Sequence, residues 1–196
     1  MYHKPAASRK PKPKFLIIAE GEREDLYFGY FEKQSGDYDV NVEIVPREDG
    51  KSAPKHIDDR LEKYKDSEKW LPSYGDQLWF IFDVDKWGEQ LHELVKECEH
   101  DSRWHIAISN PCFEVWLHYH NNASISGMTT CDDLKRELQR QKLGHFDTKI
   151  YAPQIEAAII NSKATDTHPG QLFPAELQTK VYKLAEQLLD LMKTKV

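Results

Sequence analysis

Leu78-Trp-Phe-Ile-Phe-Asp-Val-Asp-Lys-Trp87 is an apolar run that ends abruptly in two carboxylates one residue apart. A run rich in β-branched and aromatic residues predicts a strand buried on both faces, as in a parallel sheet covered by helices. Asp83 and Asp85 then lie at its carboxyl end, where open α/β sheets place their ligands. Residues i and i+2 of an extended chain point the same way, so one hard cation can meet both carboxylates and offset their repulsion. A second reading stays open at this point: Asp83 as a cap of the next helix and Asp85 solvated in its first turn.

The same pattern of strand, acid and helix recurs on either side. Phe15-Leu-Ile-Ile-Ala19 reads as a buried strand running into Glu20-Gly21-Glu22. Gly21 permits a sharp turn or a close approach of a ligand to the backbone. Arg23 to Phe31 carries Leu26, Tyr27, Tyr30 and Phe31 at helical spacing, so an amphipathic helix is expected. Glu20 is thus a second acid at a strand end, whereas Glu22 and Glu24 read as ordinary helix-dipole partners. Val40 to Val45 alternates as a strand nearer the sheet edge, and His56 to Lys65 and Trp87 to Glu99 read as helices.

Trp104 to Ser109 is the fourth expected strand, followed by Ser109-Asn-Pro-Cys-Phe-Glu-Val-Trp116. Asn110 as N-cap and Pro111 at the first helical position would place Phe113, not Glu114, at the capping-box position. Glu114 is therefore a third acidic candidate, with a dipole partner as the alternative. His118 and His120, two apart on a helix, share no face and are not read as ligands. Four strands alternating with helices argue for a mainly parallel four-stranded sheet in a three-layer α/β sandwich, residues 15–120. Beyond Asn121 the chain reads as helices without clear strands: Asp132 to Gln141 capped by Thr130, Pro153 to Ile160, and a long one after Pro174 ending near Met192. This helical extension, 121–196, is expected to pack on the core, with Lys135, Arg136, Arg140, Lys142, Lys149 and Lys163 as its basic surface.

Composition bounds the rest. At 196 residues, 39% hydrophobic and 31% charged, the chain is an ordinary globular protein with no apolar stretch of membrane-spanning length. No signal peptide is read, and the three cysteines, Cys98, Cys112 and Cys131, form no CxxC pair, so a reducing cytoplasm is expected rather than a disulfide framework or zinc cluster. A net charge of -6 does not announce a basic nucleic-acid surface, although acids that hold metal also count as negative. Residues 1–14, with Lys10, Lys12 and Lys14 among prolines, read as a basic flexible arm. Gly50-Lys51-Ser52 is not a P-loop, because the first glycine of that motif would fall at Val45. Lys51 stays a point-charge candidate for a phosphate.

Glu20 after the first strand and Asp83-x-Asp85 after the third resemble the Toprim domain of topoisomerases, primases and OLD-type nucleases, in which such acids surround Mg²⁺. Ile17-Ile-Ala-Glu-Gly-Glu22, Phe82-Asp-Val-Asp85 and Ser109-Asn-Pro-Cys-Phe-Glu-Val-Trp-Leu117 further resemble the RloB-like family, a Toprim-related group of bacterial phage-defence and abortive-infection proteins often encoded beside an ATPase. The resemblance implies Glu20, Asp83, Asp85 and Glu114 as catalytic and Mg (or Mn) binding residues. The expected activity is a metal-dependent nuclease cutting DNA or RNA, cytoplasmic, under a partner ATPase, with a homodimer among the expected assemblies. Lys86, beside the acid pair, is a candidate to neutralise the scissile phosphate. A non-catalytic interaction module and a nucleotidyl transferase are the competing functions. His168-Pro169 stands where the resemblance leads one to expect Asn-Pro, leaving the tail without an implied role.

Overall fold

The run around Leu78 forms β3 (Gln77–Asp83), buried at every residue but its two ends. In this computed structural model the described residues are 12–47, 54–67, 73, 75–84, 92–93, 95–96, 98–143 and 146–193. β1 (Lys14–Ala19), β2 (Asn41–Ile44) and β4 (Trp104–Asn110) join β3 in parallel, in the order β2-β1-β3-β4. The chain thus leaves β1 to one side for β2 and returns to the other side for β3.

Period-two alternation divides these apolar strands between two faces. Leu16, Ile18, Leu78, Phe80, Phe82, Ile106 and Ile108 face one side, where Ile57, Leu61 and Tyr64 of α2 (Pro54–Lys65) cover them. The expected helix 87–99 falls largely outside the described residues; His92, Glu93, Val95, Lys96 and Cys98 are helical, and Val95 and Cys98 pack on this same side. Phe15, Ile17, Ala19, Trp79, Ile81 and Ala107 face the other side, under α1 (Glu22–Gln34), α3 (Glu114–Tyr119) and the helices of the tail. On α1 the buried stripe is Tyr27, Phe28 and Phe31, whereas Leu26, expected inside, is 51% exposed.

Two local expectations are corrected. Asn110 does not cap a helix, and Pro111 is not its first residue. Asn110 ends β4, its side-chain amide donates to the carbonyl of Pro174 at 3.0 Å, and the residue before α3 is Phe113, which makes no side-chain cap bond. The Asn110–Pro111 peptide is cis, and α3 starts three residues later, at Glu114. The sheet also has five strands, not four. β5 (Gln178–Thr179), inside the segment read as wholly helical, pairs antiparallel with β4 through Ser109–Thr179 and Asn110–Gln178. Two residues are too few to show a strand period, so the ladder bonds and the Ser109–Thr179 hydroxyl contact at 2.8 Å define it instead.

Around β5 the tail contributes α4 (Cys131–Leu138), α5 (Thr148–Tyr151), α6 (Ile155–Thr165) and α7 (Val181–Met192). Thr130 caps α4 as expected, accepting from the Asp133 N–H. On α7 Val181, Leu184 and Leu188 are buried in the core shared with α1 and α3. Among the described residues no helix is long and apolar enough to cross a membrane.

Lys180, between β5 and α7, is 1% exposed, and its ammonium donates to both oxygens of Asp166 at 2.7 and 2.6 Å and to the carbonyl of His168 at 2.8 Å. Burial alone would raise the Asp166 carboxyl; donation by Lys180, the Tyr182 hydroxyl and the His168 amide outweighs it and holds the group below its ordinary value. Removing one partner of such a pair strands the other charge in a dry site. Asp166→Ala should therefore destabilise the fold by about 3–5 kcal/mol in urea denaturation. A loss below about 1 kcal/mol, the figure for exposed pairs, would show that water reaches Lys180.

Candidate functional site

Glu20 follows the last residue of β1, and Asp83 is the last residue of β3. Ladder geometry sets them side by side: the Glu20 N–H donates to the carbonyl of Ile81 at 3.0 Å, and the Asp83 N–H donates to Glu20 Oε2 at 3.2 Å. Glu114 joins them from the turn after β4 as the first residue of α3. The structure thus brings three of the four expected acids to one place, the carboxyl ends of three neighbouring parallel strands. Asp85, Lys86 and Lys51 lie outside the described residues.

Glu24, expected only as a partner of the helix dipole, belongs to the same cluster. It is 3% exposed and lines the same cleft as Glu20, Asp83 and Glu114. Gly21 makes room for it: its backbone is extended (φ −115°), and a Cβ built there would come within 2.4 Å of Glu24 Oε2. The close approach at this glycine is that of a protein carboxyl group. Burial pushes Glu24 up to about 8; the charges of Glu114, Glu20 and Asp25 add to the rise, against the bond from its own backbone amide. Glu22, by contrast, is 75% exposed along its side chain, 4.0 Å from Arg47.

Cations hold the cluster together. Arg23 Nη1 donates to Glu114 Oε1, and Arg47 and Lys135 line the same cleft of about 370 Å³. Behind Glu20, the buried Arg60 of α2 donates to the carbonyls of Ala19 at 2.6 Å and of Val45, and so ties the ends of β1 and β2 together. Asp25, 4.0 Å from Arg60, is raised to about 6 by burial, with Arg60 and Arg47 pulling the other way. Of the expected basic surface, Arg136, Arg140 and Lys163 pair with Asp133, Glu137 and Glu186, and among the described side chains only Lys135 lines the cleft.

The nearby histidines and thiol serve packing. His118 Nε2 lies 3.0 Å from the carbonyl of Leu134; His120 lies 3.0 Å from the Trp116 carbonyl and 2.9 Å from the Tyr27 hydroxyl. Burial lowers both, His120 to about 4, so both are neutral near pH 7. Burial, with help from Glu114, pushes the Cys112 thiol far up, so Cys112 offers the acids no soft thiolate. The donors available are carboxylate oxygens, which fit a hard divalent cation. Among the described residues no three His, Cys, Asp or Glu side chains converge as ligands of one ion.

The raised Glu24 has a consequence for stability. Between its unfolded value near 4.5 and about 8 the folded protein keeps a proton that the unfolded chain releases. The contribution is full below that range and is lost as pH rises through it. In EDTA, Glu24→Gln should match the parent's melting temperature near pH 4.5 and exceed it near pH 8. Parallel melting curves at both ends would show that Glu24 stays ionised in the fold.

Compared with known proteins, residues 15–188 match the model of a family described as RloB-like protein. No curated protein and no solved structure matches the chain.

Proposed function

The chain belongs to the RloB-like family, and from that premise we propose that it is a metal-dependent phosphodiester-cleaving nuclease of Toprim type, acting on DNA or RNA in anti-phage defence under the control of a partner ATPase. The observation that carries this reading is the place of the acids. Glu20 and Asp83 flank the β1/β3 boundary, where the chain's direction across the sheet reverses. At such a boundary the carboxyl ends of the strands open a crevice for ligand. A cleft that gathers carboxylates with Arg23, Arg47 and Lys135 at one point offers both halves of what a phosphodiester requires: metal-binding oxygens and counter-charges for the phosphate.

In this reading Asp83 and Glu20, with Asp85 two residues further along the chain, would hold Mg²⁺ or Mn²⁺, which when bound would supply a water of lowered pKa and offset charge on the leaving oxygen. Glu20, fixed by the Asp83 amide, either shares that ion or accepts the proton of the attacking water. Glu114, held by Arg23, completes the acidic wall, and the cations on the rim take up the negative charge of the phosphate. Lys86 would add to them from beside Asp85.

The test uses plasmid DNA and total tRNA in parallel, with Mg²⁺, Mn²⁺ or EDTA, and the parent protein beside Asp83→Ala. Cleavage should need metal and fall by at least about a hundredfold in the variant, the scale of losing one preorganised charge-stabilising group. Calorimetric titration with Mn²⁺ should show weakened binding in the same variant. Metal binding without cleavage of either substrate would favour a non-catalytic module of a defence complex. Incorporation of labelled nucleotide would favour a nucleotidyl transferase.

A further inference from the structure

Two more clefts adjoin the acidic one, and each shares a cation with it. One, of about 460 Å³, lies along the edge of β2; Ile44, Val45, Pro46 and Tyr64 line it together with the acids Glu32 and Glu43 and the cations Arg60 and Lys63, and Arg47 lines both it and the acidic cleft. The other, of about 440 Å³, is lined by Pro111, Thr129 and Thr130, and Asp83 and Lys135 line both it and the acidic cleft. The acidic cleft lies at the carboxyl ends of β1 and β3, the third cleft adjoins it at the turn after β4, and the one along β2 leads from Arg47 down the open edge of the sheet towards the ends of α1 and α2. Arg47 marks one junction and Lys135 the other.

A small ligand would need only the central cleft. A chain molecule has to leave the acids on both sides, and each exit here passes a cation. The acids are also recessed: Glu20 is 6%, Glu24 3% and Glu114 4% exposed. A regular duplex is stiff and cannot turn sharply enough for consecutive phosphates of one strand to follow all three clefts. A single strand can bend in, set its phosphates against the two cations and lay a base on the apolar wall of Ile44, Pro46 and Tyr64.

We propose that the three clefts form one groove for a single strand of nucleic acid, in which Arg47 and Lys135 contact the phosphates on either side of the one presented to the acids. This rests on the nuclease reading and gives it a substrate form, an unpaired polynucleotide. It also gives α4, part of the helical tail, a direct contact with substrate.

The test measures binding by fluorescence anisotropy in the Asp83→Asn background, which keeps the strand intact. The probes are a labelled single-stranded DNA of about 12 nucleotides, within the span of known single-strand grooves, the RNA of the same sequence, and the blunt DNA duplex. At least one single strand should bind more tightly than the duplex. Arg47→Gln and Lys135→Gln should each weaken it by about tenfold and reduce the slope of log K against log salt by about 0.7, the release expected for one phosphate contact on a single strand. Arg136→Gln is the control: it makes the same charge change on the same helix outside the clefts, and should leave the slope unchanged. Equal or tighter duplex binding, no binding of any probe, or slopes in Arg47→Gln and Lys135→Gln equal to that of the control would each overturn the groove. Single-strand binding as expected, with no cleavage by the parent chain, would keep the groove and remove the nuclease. Metal-dependent cleavage with unchanged slopes would keep the nuclease and remove the groove.

Discussion

Glu20, Glu24 and Glu114 are each more than nine-tenths buried and line one cleft. Buried like charges repel strongly, and a carboxylate out of water holds its charge only against a partner. Much of the surrounding structure answers that constraint. Arg23 pairs with Glu114, the Asp83 amide donates to Glu20, and Glu24 moves towards its neutral form. Stability alone would favour apolar residues at these positions. A cluster kept at such cost in the crevice of an α/β sheet is what a site for a cation and an anionic substrate needs, which is why the acids, more than the fold, support the nuclease reading.

The scaffold is rigid where those acids are attached. β1 and β3 are buried on both faces, so their ends cannot shift without disturbing two apolar layers at once. Arg60 adds a polar clamp, its guanidinium bonded to the carbonyl that immediately precedes Glu20 and to the end of β2. Glu20 is thus fixed from behind by α2 and from the side by β3, while its carboxylate lines the cleft.

The parallel core was legible because its strands are continuous apolar runs and each ends in a residue that such a run has no reason to contain. Asp83 and Glu20 stood out on those grounds, and Glu114 because it falls outside the capping-box position of the helix expected after Asn110. Glu24 did not, because an acid in the first turn of a helix has a ready explanation in the helix dipole. A finer reading was available: Tyr27, Phe28 and Phe31 lie three, four and seven residues beyond Glu24, so it sits on the apolar stripe. Placing Leu26 on that stripe obscured the point. β5 was not legible at all, since a two-residue strand has no period. The start of α3 was misplaced because Asn-Pro is a common helix entry, and nothing local reveals that Asn110 is bonded to Pro174, 64 residues away.

The tail shows how a segment without motifs can still take part in a site. β5 lengthens the sheet beside β4, and the Lys180 backbone N–H donates to the carbonyl of Ile108 at 2.7 Å, joining the tail to the strand that leads towards Glu114. Asp166 fixes the same lysine from the end of α6, whose residues pack into the core shared with α3. Upstream, Leu134 and Leu138 bury α4 in that core, and Lys135, one residue after Leu134, is directed to the cleft wall. The apolar anchor and the cation are therefore set by one helix. A tail that only covered the sheet would need Leu134 and Leu138, but it would have no need of a cation beside Asp83.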